Sequence, residues 1–206
     1  ETAEYLPKGK AVLTGSPIRA ELLKGDSEKG LAMCGFKNDK PVIMVIGGSL
    51  GAVAVNNAVR EALPELLKSF HIVHLCGKGK MDSSLENTEG YKQFEYIKDE
   101  LKDLFAMSDI IISRAGANAI CEISALKKPS ILIPLSANAS RGDQILNANS
   151  FKKQGFSEVI EEENLTTKLL TDTVFSVYEN RQKYIDAMEK SGQHNGVKII
   201  LELIKE

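Results

Sequence analysis

Residues 41–69 read PVIMVIGGSLGAVAVNNAVREALPELLKS. Pro41–Ile46 is a continuous apolar run, long enough for a strand and too short for a helix. An apolar run with no alternation suits a strand covered on both faces, as in the middle of a parallel sheet. It breaks into Gly47-Gly48-Ser49-Leu50-Gly51-Ala52 and then into a helical stretch reaching about Ser69. Strand, glycine-rich turn and helix form one βα unit.

The same rhythm continues outward in both directions. His71–Cys76 reads as a strand ending at Gly77-Lys78-Gly79-Lys80, and Tyr91–Tyr96 as a shorter one. Leu101–Met107 is a short amphipathic helix. Asp109–Ser113 is a strongly apolar strand that runs through Arg114-Ala115-Gly116 into a helix from about Asn118 to Leu126. Ser130–Pro134 is another buried strand, and a polar loop leads to a helix from Gln144 to about Gln154, ended by Gly155. Phe156–Ile160 reads as an edge strand, and Thr166–Tyr178, Gln182–Met188 and Val197–Ile204 as terminal helices. Upstream, Ala11–Thr14 is a candidate strand and Lys24–Asn38 a helix with a polar connector. Alternating strands and helices predict an α/β fold, a Rossmann-like three-layer parallel sheet of about six strands in one domain.

Composition agrees. The 206 residues are 43% hydrophobic and 26% charged with a net charge of −2, which excludes disorder and collagen-like chains and argues against a chain built to grip nucleic acid. The three cysteines, Cys34, Cys76 and Cys121, have no short spacing, so neither a disulfide framework nor a zinc site is expected. No apolar run approaches the roughly 18 residues of a membrane span, so no transmembrane segment is expected. A reducing cytoplasmic setting fits.

Two stretches carry candidate chemistry. Gly47–Ala52 joins a buried strand to a helix. Its glycines permit a tight turn and close backbone approach, and the unpaired N–H groups of the helix start favour an anion such as a diphosphate. It lacks the register of the dinucleotide fingerprint and the Gly-Lys-Ser/Thr of a Walker A loop. A plain tight turn is the alternative. The second stretch is Ser113-Arg114-Ala115-Gly116-Ala117-Asn118-Ala119-Ile120-Cys121-Glu122. Here too a strand ends, small residues follow and a helix begins, at the strand ends where open α/β sheets bind ligands. Asn118 and Glu122 share a helix face. Glu122 is suited to accept from two neighbouring ribose hydroxyls, or is a solvated surface residue. In Ser140-Arg141-Gly142-Asp143-Gln144, Asp143 is placed to cap the next helix and Gln144 to bond sugar hydroxyls.

Other chemistries are missing from the sequence. There is no GxSxG elbow and no HExxH. His71 and His74 should point to opposite faces of their strand, a poor metal pair. No metal site and no cofactor are expected.

Taken in order, TGSPIR (14–19), GGSLGA (47–52), Tyr96-Ile97 before an acidic helix, SRAGANAICE (113–122) and GDQILNA (142–148) resemble the C-terminal, donor-binding domain of the MurG-type N-acetylglucosaminyltransferases. The resemblance covers the whole chain but one half of such an enzyme. It implies the C-terminal half of a GT-B glycosyltransferase, with residues 1–206 as a single UDP-GlcNAc-binding domain. Residues 1–10 would be an interdomain segment and 165–206 the terminal helices, and an N-terminal acceptor domain would be absent. Gly48, Ser49 and Gly51 would face the donor diphosphate, with Arg19 near the same phosphates. Tyr96 and Ile97 would flank the uracil. Ala117, Asn118 and Ala119 would hold the phosphate–sugar region, Glu122 the ribose, and Gln144 the GlcNAc hydroxyls, with Asp143 beside it. At Asp143 the family often has Gln or His, and Asn118 and Ala119 stand where Thr-containing versions are commoner.

The implied activity is inverting, metal-independent transfer of GlcNAc to lipid I, giving lipid II in peptidoglycan synthesis. The full-length enzyme would sit on the inner face of the cell membrane. No catalytic base is evident, so the chain alone should bind donor without turnover. The alternatives are a stand-alone donor subunit of a two-chain lipid-linked GlcNAc transferase, half of a UDP-sugar epimerase, and a plain nucleotide-binding module.

Overall fold

A computed structural model describes residues 12, 14–47, 52–136, 142–191 and 196–205. Its six strands are β1 (Val42–Ile46), β2 (His71–Leu75), β3 (Tyr91–Phe94), β4 (Ile110–Ser113), β5 (Ser130–Leu132) and β6 (Ser157–Val159). They form one sheet in the order β3-β2-β1-β4-β5-β6, and every pairing is parallel. β1 is central, its Met44 opposite Val73 of β2 on one side and Ile111 of β4 on the other. The chain crosses from the β3 edge back over β1 to β4, so the order reverses between β1 and β4. That reversal opens a crevice at the carboxyl ends of those two strands.

The helices are α1 (Ser27–Cys34), α2 (Val53–Leu66), α3 (Leu101–Met107), α4 (Ala117–Ala125), α5 (Asp143–Lys153), α6 (Thr167–Glu179), α7 (Arg181–Lys190) and α8 (Val197–Lys205). Strand periodicity divides the core. Ile43, Val45, Ile72, Ile110, Ile112 and Ile131 face α2 and α6 through Val59, Leu66, Leu170 and Val174. Met44, Val73, Leu75 and Ile111 face α3 through Leu104, Phe105 and Met107. Apolar residues on both faces of the central strands explain why β1 and β4 read as unbroken hydrophobic runs.

The segment before α1 departs from expectation. Val12 and Thr14 are irregular, and the candidate strand's other two residues, Ala11 and Leu13, lie outside the described residues, as do residues 1–10. The helix expected over Lys24–Asn38 is shorter, α1 over Ser27–Cys34, and a separate 3-10 turn over Ala20–Lys24 precedes it. Asp26 divides them. Its carboxylate caps α1 by accepting from the N–H groups of Glu28 and Lys29, and its own N–H donates to Asp103 Oδ1 at 2.8 Å. Gly25 lies so close to α3 that a Cβ there would sit 2.0 Å from the Lys102 carbonyl oxygen. This close docking fixes the strip of chain that carries Arg19.

Candidate functional site at the carboxyl edge of the sheet

Of the helices that start at the carboxyl edge of the sheet, α2, α3, α4 and α5 have no side-chain cap. The N-caps of α2, α4 and α5 are Ala52, Gly116 and Gly142. By contrast Asp26 and Thr166 cap α1 and α6 with side-chain oxygens. The cap expected from Asp143 is not there. Gly142 holds the N-cap position at φ 82°, which a side chain resists, and Asp143 becomes the exposed first helical residue. At Gly116 the backbone is extended, and an added Cβ would meet nothing within 4 Å. Neither its conformation nor its packing calls for glycine.

The turns beneath these helices are tied to one another. Ser113 Oγ lies 3.1 Å from the Ile46 carbonyl, joining the ends of β4 and β1. Arg114 donates to the carbonyls of Ile133 and Pro134 at 3.1 and 3.2 Å and pairs with Glu162. Asn147 Nδ2 donates to the Ala115 carbonyl at 3.1 Å, fastening α5 to the turn that opens α4. Gln144 Oε1 accepts from the Leu135 N–H at 3.1 Å.

Glu122 is not a solvated surface residue. Its carboxylate is forked onto Arg19, with Nε to Oε1 at 2.7 Å and Nη2 to Oε2 at 3.0 Å, and its side chain is only 14% exposed. The hydrogen bond to Glu122 raises the Arg19 pKa above its ordinary value, against the effect of burial, and the negative charges of Glu122 and Glu21 add to it. Arg19 and Glu122 are therefore brought together from two separate parts of the chain. Tyr96 is exposed, and Ile97 packs against the core on the α3 side. Ala117 and Asn118 are exposed on the first turn of α4, with Ala119 half-buried. Gly48, Ser49 and Gly51 lie outside the described residues.

A buried polar relay stands at the β2 side of this edge. Tyr91 Oη is 2.8 Å from His74 Nδ1, and His74 Nε2 is 3.0 Å from Asn56 Oδ1. Asn56 Nδ2 donates to the Cys76 carbonyl at 2.9 Å. That last bond identifies Oδ1 as the acceptor end of the amide, so His74 carries its proton on Nε2 and Tyr91 donates to Nδ1. Burial, and after it the Arg60 charge, push the His74 pKa down to about 3. His71 faces the other way, stacked on Phe36 and bonded to Asp39 at 2.7 Å, as strand alternation requires. Among the described residues no group of three or more His, Cys, Asp or Glu could hold a metal ion, and no helix is long and apolar enough to cross a membrane.

Residues 42–204 match the model of the glycosyltransferase family 28 C-terminal domain. The chain belongs to that family. A UDP-N-acetylglucosamine--N-acetylmuramyl-(pentapeptide) pyrophosphoryl-undecaprenol N-acetylglucosamine transferase of Lachnospira eligens is 63% identical over 206 residues, which are 100% of this chain and 58% of that protein. The chain thus spans 58% of the length of these curated relatives. MurG of Acinetobacter baumannii superposes with a TM-score of 0.72 at 25% identity, covering 97% of this chain and 57% of that one. A UDP-GlcNAc 2-epimerase of Neisseria meningitidis, bound to UDP-GlcNAc, superposes at a TM-score of 0.62 and 16% identity over 100% of this chain and 57% of that one. The second likeness shows the fold alone.

Sequence reasoning missed the tying residues of the family 28 domain. Asn56, His74, Arg114 and Asn147 each bond a group far away in the chain, and no local pattern announces such a bond. Burial of His74 also has a measurable consequence. The unfolded chain protonates His74 below about pH 6.5, whereas the folded chain resists until about 3. Stability from this group is whole above about pH 6.5 and is lost as the pH falls toward the folded value, by up to about 1.4 kcal/mol per pH unit. The melting temperature should fall between about pH 7 and pH 5, and fall less in His74→Gln. Equal slopes for the two proteins would show that His74 does not titrate in this way.

Proposed function

We propose that this chain is the donor-nucleotide-sugar half of an N-acetylglucosaminyltransferase that makes lipid II. The observation that carries this reading is the start of α4. It is an uncapped helix N-terminus opened by a glycine that the fold itself does not require, with a carboxylate one turn on. Orphan N–H groups and the helix dipole suit a diphosphate, and a carboxylate suits two ribose hydroxyls. Membership of family 28 and the names of its relatives supply the sugar and the acceptor.

In this reading Arg19 and Glu122 satisfy each other until a nucleotide arrives. UDP then takes Glu122 through its ribose, and Arg19 turns to the diphosphate. Tyr96 and Ile97 flank the uracil. Ala117, Asn118 and Ala119 face the phosphate–sugar junction, and Gly48, Ser49 and Gly51 the diphosphate. Gln144, its Oε1 already bonded to Leu135, offers the sugar its amide nitrogen, with Asp143 beside it. The acceptor hydroxyl attacks the anomeric carbon with inversion while the bond to UDP breaks. Negative charge then grows on the leaving diphosphate, where fixed N–H dipoles stabilise it without a metal. The base that takes the hydroxyl proton belongs to an acceptor-binding half, which also places the enzyme on the inner face of the membrane. Residues 1–206 form one domain of that enzyme and do not transfer sugar alone.

Calorimetry with UDP and UDP-GlcNAc in EDTA tests the reading. Both should bind, and binding that appears only with added magnesium or manganese would contradict it. Glu122→Ala should weaken UDP about ten-fold or more, since a hydrogen bond to a charged group contributes roughly 1.5–3 kcal/mol. The same variant should lose discrimination against 2′-deoxy-UDP, and unchanged discrimination would remove Glu122 from the ribose. Gly116→Ala gives a separate handle. A poorer N-cap and a less flexible unfolded chain oppose each other, so stability should change by less than about 1 kcal/mol. A methyl group in the ligand's path should nevertheless weaken UDP about ten-fold. Full affinity in Gly116→Ala would place the diphosphate elsewhere.

A further inference from the structure

The relay from Tyr91 to Cys76 is buried and its members lie on three elements, β3, β2 and α2. Asn56 is its pivot and has two attachments. Its backbone N–H donates to the Ala52 carbonyl at 2.8 Å, the bond that closes the first turn of α2. Its side chain reaches sideways to Cys76, one residue past the end of β2. Asparagine is a poor helix former, and burying its amide is costly unless every bond is made. A leucine would fill an ordinary helix–sheet contact at lower cost, as Val55, Val59 and Leu66 do along the same helix. What the amide adds is direction. Apolar contacts tolerate small slides and rotations, whereas a chain of hydrogen bonds with one allowed proton arrangement does not.

The end of α2 held in this way is its uncapped start, immediately after the glycine-rich segment. We infer that Asn56 is a positioning residue for the donor diphosphate, fixing the first turn of α2 against the carboxyl end of β2 so that its N–H groups meet the phosphates. The inference rests on the donor-site reading above and adds to it a residue that touches no ligand. Its consequence is selective. The uracil and ribose are assigned to Tyr96, Ile97 and Glu122, none of which is on α2, so their contribution should not depend on Asn56. The diphosphate's contribution should.

The ratio of the uridine dissociation constant to that of UDP isolates the diphosphate. In the parent protein UDP should bind more tightly than uridine. Asn56→Ala should reduce the ratio about ten-fold, because misplacement on the scale of an ångström has a large effect on oriented groups, while the affinity for uridine stays as it was. Met188→Ala, a core truncation on α7, serves as the comparison for lost stability alone and should leave the ratio unchanged. Because Asn56→Ala leaves His74 Nε2 and the Cys76 carbonyl without partners, the triple variant Asn56→Leu/His74→Phe/Tyr91→Phe provides a second route. Replacing both polar partners of a bond by apolar ones is far less destabilising than removing one, and the triple variant, which leaves only the Cys76 carbonyl unpaired, should show the same reduced ratio. An unchanged ratio in either folded variant would overturn the positioning role, as would uridine and UDP weakening in proportion. Parent protein that binds UDP no better than uridine would instead overturn the donor-site reading, and the role of Asn56 with it.

Discussion

A parallel sheet places the carboxyl ends of all its strands along one edge, and everything proposed for this domain depends on that. Each crossover helix brings the chain back over a face to start the next strand in the same direction, so the turn after every strand lies at that edge. From there the chain leaves β1 toward β2 and β4 toward β5, in opposite directions along the sheet, since the strand order reverses between them. The starts of α2 and α4 therefore flank one crevice, with α5 beside them. No side chain has to be placed for this to happen. It follows from parallel pairing and from the handedness of the crossovers.

Placement of the polar groups then becomes a question of compensation. The crevice contains helix starts without caps and a carboxylate, groups that ordinarily demand partners. Glu122 finds one in Arg19, delivered by a strip of chain that Gly25 allows to lie against α3. Arg114 and Asn147 satisfy carbonyls of the turns and in doing so stiffen them. The described site is thus built of tied turns, a forked ion pair and helix starts without side-chain caps. Such a division suits recognition of a nucleoside diphosphate, where charge has to be met without prior reorganisation.

Fold class and sheet content were legible in the sequence because burial on both faces writes itself as unbroken apolar runs, and helices as three-and-four spacing. Pro41–Ile46, Asp109–Ser113 and Leu101–Met107 all became elements within a residue or so of their expected limits. The failures were polar. The helix expected over Lys24–Asn38 starts only at Ser27, because Asp26 takes its N-cap. Asp143 lost the cap to Gly142 because a glycine can take the left-handed backbone that the turn requires. Local chemistry was visible in both cases, and the choice between neighbours was not.

The sequence by itself determined the βα rhythm, the two glycine-rich helix starts and the ordered motifs that resemble one transferase family. Tertiary structure alone decided which distant groups meet. Glu122 is held by Arg19, 103 positions away, and His74 by Asn56 and Tyr91, from a helix and a strand on either side of it in the chain. The physical reason is one of range. Propensity, capping and periodicity act over a few residues, so they leave a record in neighbouring letters. A hydrogen bond across a sheet depends on register, crossover path and helix rotation together, and these exist only once the chain has folded.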